Sequence, residues 1–215
     1  MTGSPRYMSP TGPEAETEPG SRGHVLRNLL GITSKTEMDR VEHDALLLVQ
    51  AEYQRTIGDR TSFTAETLRR MHRDWLGGIY AWAGRYRTVD LTKEGFRWPP
   101  AHMVAENMER FDHERLRTHT PCAPGSLPQV ALRIAEVHAD LLLIHPFREG
   151  NGRLARWLAG LMALQADLPA PAYRFEGRGS RAERARYLAA VKRGYRGDYE
   201  DLRDFFVDAV ERRLV

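Results

Sequence analysis

The run HPFREGNGRLAR, residues 145–156, gathers a histidine, a carboxylate, an asparagine between two glycines, and two arginines three positions apart. Gly150 and Gly152 flank Asn151 where a loop opens into the apolar-periodic stretch RLARWLAGLMALQ. The first backbone N–H groups of such a helix have no carbonyl one turn behind them and sit at the positive end of its dipole. The loop is therefore a ready-made anion site. Arg153 and Arg156, at i and i+3, leave the first turns on neighbouring faces and reach further anionic groups. That much positive potential points to a polyphosphate rather than a single carboxylate. Glu149 alone would repel phosphates; a Mg²⁺ ion held by this carboxylate and the phosphate oxygens removes the conflict. His145 accepts a proton near neutral pH, which suits it as the base for a hydroxyl nucleophile.

Each of these residues also has a structural reading. His145 fits a helix C-terminus, Pro146 a terminator, Phe147 the core, the glycines a turn, and the arginines solvent. Those readings give no reason for the residues to be adjacent, whereas phosphate chemistry explains them together.

The elements that must position this run read as one largely helical domain. The chain has 215 residues, 41% hydrophobic and 28% charged, enough for one substantial core. Its net charge of +3 comes from many arginines set among many carboxylates, a mixed surface that permits an anionic ligand without demanding nucleic acid. The single cysteine, Cys122, excludes an internal disulfide framework. With no run long enough for a membrane span and no basic-then-apolar leader, the expected location is cytoplasmic, with no membrane partner.

Residues 1–23 hold four prolines and four glycines with little to bury and read as a flexible tail, leaving 24–215 as the domain. Ser34 and Glu37 have capping-box spacing and open a helix with Met38, Val41, Ala45 and Leu48 as its stripe. A second helix carries Leu68, Met71, Trp75 and Ile79, and a third, introduced by Pro99 and Pro100, carries Met103, Met108 and Phe111. Residues 128–144 form an apolar helix leading into the run, another helix starts at about Gly152, and Leu202, Phe205, Phe206, Ala209 and Val210 mark a last stripe. The exception is RYRTVDLTKEGFRWPP, residues 85–100, which reads as a short hairpin. The fold class is all-α with a β-hairpin flap, the helices bundled around a central helix–loop–helix.

The run matches the motif HxFx(D/E)GNGRxxR at every specified position, and the chain resembles the Fic (filamentation induced by cAMP) family of protein AMP transferases over about residues 30–210. GRYRTVDL through WPP resembles the flap of that family, and the bacterial branch called mobile mystery protein B is a looser likeness. The resemblance implies a Fic fold and transfer of AMP from ATP, with Mg²⁺, to a Ser, Thr or Tyr hydroxyl of a target protein. His145 would be the base, and Phe147 would anchor the loop. Glu149 would hold the metal, and Gly150, Asn151 and Gly152 would receive the transferred phosphate. Arg153 and Arg156 would hold the β- and γ-phosphates. The flap residues Arg87, Thr88, Val89, Asp90 and Leu91 would dock the target segment. Tyr187, in RARYLAAV, would stack on the base. Members that transfer a phosphate instead of AMP have altered glycines or arginines in the motif, and this sequence has neither departure. A toxin-like role implies topoisomerase subunits as candidate targets.

Many members are restrained by a helix bearing (S/T)xxxE(G/N), whose glutamate pairs with the second motif arginine. Thr33 and Glu37 have that spacing, but Met38 follows, and capping already explains Glu37. A separate small antitoxin is then expected by resemblance. The other class of reading is a nucleic-acid binder using the arginine-rich run at 176–197; interleaved carboxylates and Glu149 beside the anion loop oppose it.

Overall fold

Ser34 opens the first helix as expected: its Oγ accepts the Glu37 N–H at 3.4 Å and its carbonyl accepts the Met38 N–H at 2.9 Å. The structure, a computed structural model, describes residues 14–58, 60–93 and 95–214. It is mostly helical, with one two-stranded antiparallel sheet. The chain divides into two compact units. One joins the described residues up to Thr56 with Ala65–Arg110 and Ile144–Leu154; the other joins Ile57–Thr64 with Phe111–Leu143 and the chain from Ala155 on.

In the first unit, α1 (Lys35–Thr56) buries Met38, Glu42 and Leu46. The expected stripe through Val41, Ala45 and Leu48 is displaced by one position, and Leu48 stands 76% exposed. The inward face is set by Glu42, a carboxylate no apolar pattern selects. α2 (Ala65–Leu76) buries Leu68, Met71, His72 and Trp75, as its periodicity requires. β1 (Thr92–Lys93) and β2 (Phe96–Arg97) pair antiparallel with Thr92 opposite Arg97 and Lys93 opposite Phe96. The hairpin is shorter than the expected 85–100 because Arg87, Val89 and Leu91 turn into the core instead of pairing. A single 3₁₀ turn, Ala101–Met103, precedes α3 (Val104–Phe111).

Residues 1–13 of the expected tail lie outside the described residues. Residues 14–23, also assigned to that tail, make defined contacts: Thr17 and Leu26 form an antiparallel bridge, and the Glu18 N–H donates to the Val25 carbonyl at 2.9 Å. Glu14 is buried. Composition missed this because the segment is held by backbone and carboxylate hydrogen bonds, not by an apolar stripe.

In the second unit a π-helical turn, Asp112–Leu116, leads from α3 into the single turn α4 (Arg117–His119). α5 (Leu127–Ile144), α6 (Asn151–Gln165), α7 (Ser180–Gly194) and α8 (Glu200–Glu211) follow; α5 ends, and α6 begins, within residues of the first unit. The core of this unit includes Ile134, Leu141, Leu158, Met162, Phe205 and Phe206. A Cβ on Gly194 would stand 2.6 Å from the Ala139 Cβ, so the α7 backbone lies directly against α5. Cys122 is buried, which raises its thiol pKa and fits a structural thiol. No described helix is long and apolar enough to cross a membrane.

Each unit buries one histidine completely. Burial pushes His72 down to about 4 and His138 down to about 3. Both rings are neutral in the folded chain, whereas the unfolded chain protonates them below a pH of about 6.5. The contribution is therefore complete above that pH and falls as pH drops toward 4, by up to about 3 kcal/mol for each ring. Urea denaturation at pH 7 and pH 5 is expected to show a lower midpoint at pH 5; an unchanged midpoint contradicts the neutral, buried assignment.

Candidate functional site

α5 delivers His145 into a loop that reverses within six residues and re-enters a helix at Asn151. His145 has a φ of +52°, in the left-handed region that costs a non-glycine residue energy and persists only when the surroundings impose it. Here they do. Arg87 is buried, and its Nε donates to the His145 carbonyl at 2.8 Å while Nη2 reaches the Ile144 carbonyl at 3.4 Å. The Arg87 backbone N–H donates to the Pro146 carbonyl at 2.8 Å. The same guanidinium donates to the Val89 carbonyl at 2.9 Å and the Pro99 carbonyl at 2.5 Å, on either side of the hairpin. One side chain thus joins the root of the flap to the backbone of His145. Burial lowers its pKa, opposed by Asp90 and Glu14.

Asn151 closes the loop on itself. Its Oδ1 accepts the Phe147 N–H at 2.9 Å and its Nδ2 donates to the Phe147 carbonyl at 2.7 Å. Phe147 is fully buried and stacks on His72 with centroids 4.0 Å apart. The His72 ring is oriented by both nitrogens: Nδ1 accepts the Gly84 N–H at 2.9 Å, so Nε2 carries the hydrogen and donates to the Glu149 carbonyl at 3.1 Å. Gly150, at φ +86°, follows, and a Cβ there would stand 2.9 Å from the Trp75 ring. Arg148 donates from Nε to the Glu14 carbonyl at 2.6 Å, and the Glu14 carboxylate accepts from the Thr88 N–H and hydroxyl. The N-terminal segment therefore fastens both the loop and the flap root.

Within the first unit these contacts bring together His145, Phe147, Glu149, Gly150, Asn151, Gly152, Arg153 and Arg87. The His145 ring packs on Trp98, just beyond β2, at 4.2 Å between centroids. Arg153 is not waiting in solvent. Its Nη2 pairs with the Glu42 Oε2 at 2.6 Å and lies 3.7 Å from Glu149, with the guanidinium 4.7 Å over the Trp75 ring. Glu42 is itself fixed: its other oxygen accepts the Tyr80 hydroxyl at 2.6 Å, and its carbonyl accepts the Trp75 indole N–H at 2.8 Å. Glu42 is the residue sequence reasoning missed; its signal is a carboxylate one turn beyond Met38 on the buried face of α1.

Glu37 is exposed and serves the Ser34 cap, the role its spacing suggested; the carboxylate paired with a motif arginine is Glu42, and the arginine is the first, not the second. Arg87, Val89 and Leu91 are buried, so any docking at these positions would go through the backbone. Asp90 accepts the Ala101 N–H at 2.8 Å and pairs with Arg97 at 3.0 Å, contacts that hold it below the usual carboxylate range. Thr88 is the exposed member of the five. The Asn151 amide is consumed by Phe147, leaving its backbone N–H at the start of α6 for an anion.

Arg156 lies one turn further along α6, in the second unit. Tyr187 is also there, 4% exposed, with its hydroxyl 2.7 Å from the His138 Nε2; its ring is packed and does not offer a face to a base. Two arginines of the 176–197 run are ion-paired: Arg186 with Asp208 at 2.5 Å and Arg193 with Asp198 at 2.5 Å and Asp201 at 2.8 Å. Among the described residues no group of three or more His, Cys, Asp or Glu side chains could hold a metal alone. A Mg²⁺ ion would instead rely on Glu149, whose side chain keeps 31% exposure, together with phosphate oxygens; one hard carboxylate oxygen suits that arrangement.

The Fic/DOC family model matches residues 62–163. A protein adenylyltransferase from Bartonella schoenbuchensis, VbhT, is 27% identical over 168 residues, covering 75% of this chain and 32% of that protein. The chain thus spans about a third of the length of that relative. The "Probable protein adenylyltransferase y4lH" of Sinorhizobium fredii is 29% identical over 184 residues, 83% of this chain and 88% of the relative. In fold, the chain is similar to the N-terminal FIC domain of the Bep8 protein from Bartonella sp. 1-1C, with a TM-score of 0.73 at 17% identity, covering 89% and 93% of the two chains. The BepC protein of Bartonella tribocorum, solved with bound AMPPNP, superposes with a TM-score of 0.66 at 20% identity, covering 86% and 91%.

Two substitutions test the loop. Arg87→Met strips donors from buried carbonyls and is expected to lower stability by about 3 kcal/mol or more, read as the urea midpoint. Gly150→Ala meets both the left-handed backbone and the Trp75 ring, and should cost about 1–3 kcal/mol in the same measurement. A neutral result for either means the loop is not held as described.

Proposed function

We propose that this chain is a member of the Fic/DOC family and a protein adenylyltransferase, transferring AMP from ATP to a Ser, Thr or Tyr hydroxyl of a target protein. The observation that carries this reading is the delivery of His145 beside the N-terminus of α6, with Arg153 on that helix's first turn. A ring nitrogen of His145 takes the hydroxyl proton, and the hydroxyl oxygen attacks the α-phosphorus. The bond from that phosphorus to the bridging oxygen breaks, and pyrophosphate leaves. The N–H groups of Asn151 and Gly152 at the start of α6 would face the charge that builds on the α-phosphate, where fixed donors are most effective, while the Gly150 N–H donates to the Glu149 carboxylate at 3.0 Å. Arg153 and Arg156 orient the leaving phosphates. Glu149 would hold Mg²⁺, which neutralises charge on the phosphates when bound.

Docking of the target segment, rather than its selection, falls to the hairpin. Two-residue strands offer backbone groups for strand addition with little side-chain discrimination, so the target, for which topoisomerase subunits are the candidates, is chosen chiefly by other surfaces.

Glu42 gives the reading a regulatory side. A nucleotide phosphate and the Glu42 carboxylate compete for Arg153, so Glu42 supplies from within the chain the restraint that the sequence reading expected from a separate antitoxin.

Incubation with α-³²P-ATP, Mg²⁺ and host lysate should label a protein band that disappears with His145→Ala. Glu42→Gln keeps the Tyr80 contact, removes the charge opposing phosphate, and is expected to raise labelling about tenfold, the effect of about 1.4 kcal/mol. No label from either wild type or Glu42→Gln rejects AMP transfer. Labelling by the wild type that Glu42→Gln leaves unchanged rejects only the restraint.

A further inference from the structure

His72 is a buried titratable side chain that the proposed reaction does not use. It stands on α2 with its ring stacked on Phe147, 4.0 Å between centroids and 14° between planes. Its two nitrogens reach different segments: Nδ1 meets the Gly84 N–H at 2.9 Å and Nε2 meets the Glu149 carbonyl at 3.1 Å. A backbone N–H only donates and a carbonyl only accepts, so one form of the ring satisfies both, the neutral tautomer with its hydrogen on Nε2. Burial keeps the ring in that neutral form, with its pKa down at about 4.

What the ring controls is one peptide plane. The Glu149 carbonyl and the Gly150 N–H belong to the same planar trans unit and leave it in opposite directions. With the carbonyl drawn toward the buried ring, the N–H is turned away from it and donates to the Glu149 Oε1 at 3.0 Å. The carboxylate is thus held by its own peptide group. Gly150 sustains this plane, since its φ of +86° and the nearness of the Trp75 ring both exclude a Cβ. Arg153 Nη2, 3.7 Å from the same oxygen, is beyond hydrogen-bond distance and pairs with Glu42 instead.

We propose that His72 is a positioning residue for Glu149: through the 149–150 peptide plane it sets the direction in which the carboxylate is offered to Mg²⁺, without touching metal or nucleotide. This rests on the reading in which Glu149 holds the ion. A ligand oxygen whose orientation is fixed by hydrogen bonds behind it binds a metal more tightly than one that must be ordered on binding. The same support is silent toward a nucleotide bound without metal, whose phosphates meet Arg153 and the N–H groups of Asn151 and Gly152 rather than Glu149.

The test is equilibrium binding of ATP in excess Mg²⁺ and in EDTA, in a His145→Ala background that prevents turnover, with Mn²⁺ binding to the ATP complex followed by electron paramagnetic resonance. His72→Asn keeps an acceptor for the Gly84 N–H but is too short to reach Glu149. It should weaken ATP about tenfold in Mg²⁺, weaken Mn²⁺ binding alike, and leave ATP binding in EDTA unchanged. His72→Gln, whose amide N–H reaches the position of Nε2, should restore most of the loss. In a Glu149→Ala background His72→Asn should add nothing further, because the two residues act in series. Equal weakening with and without Mg²⁺ makes His72 a support of the whole loop and overturns the proposal, as does unchanged binding in both. In the unsubstituted protein ¹⁵N spectroscopy should find the His72 hydrogen on Nε2; a hydrogen on Nδ1 overturns the proposal even where the variants do not fold. A parent that binds ATP no better with Mg²⁺ than in EDTA overturns the metal role of Glu149 and this proposal with it, and a parent that binds no ATP rejects the nucleotide reading itself. Both differ from a Mg²⁺-dependent parent with a silent His72→Asn, which overturns the assignment of His72 alone.

Discussion

A loop that turns its N–H groups toward a ligand must turn its carbonyls inward, and buried carbonyls need donors. The first unit is organised around that requirement. The carbonyls of Ile144 and His145 are met by the Arg87 guanidinium, that of Pro146 by the Arg87 N–H, that of Phe147 by the Asn151 amide, and that of Glu149 by His72. The Gly150 carbonyl accepts the Leu154 N–H at 2.9 Å as α6 begins. These donors come from the flap root, from α2 and from the motif itself. The conformation of His145, the short hairpin and the burial of Phe147 all follow from this arrangement.

Charge management is the second theme. Arg87 carries a buried cation that is satisfied by carbonyl dipoles, Arg153 by a carboxylate, and Arg156 by the aromatic faces of Tyr173 and Phe175. Only in the second case is the charge neutralised by an opposite one, and there the carboxylate is itself locked by Tyr80. A buried pair of this kind resists loss of one partner far more than exchange for another anion. Phosphate chemistry supplies such an exchange.

The motif was legible in the sequence because its residue types are adjacent in the chain and one chemistry explains them all. α5, α6 and α8 were legible because their apolar periodicity coincides with burial. What stayed hidden depends on contacts across long sequence separations. Glu42 lies more than a hundred residues from Arg153, and nothing local marks it as buried. The flap residues Arg87 and Val89 read as strand because β-branched and charged residues alternate there, yet the loop needed a donor and drew Arg87 inward. Tyr187 read as a stacking ring only through the family resemblance; its partner His138 lies on a helix with no pattern pointing to it. Residues 14–23 read as tail since proline and glycine content says nothing about a carboxylate that caps Thr88.

The Asn151 amide, closed on both the N–H and the carbonyl of Phe147, carries a thermodynamic consequence. Because the loop is hydrogen-bonded to itself with no ligand present, a nucleotide bound there under the proposed reading would pay little conformational entropy to order the backbone. Its main cost would instead be the exchange of one anion for another at Arg153.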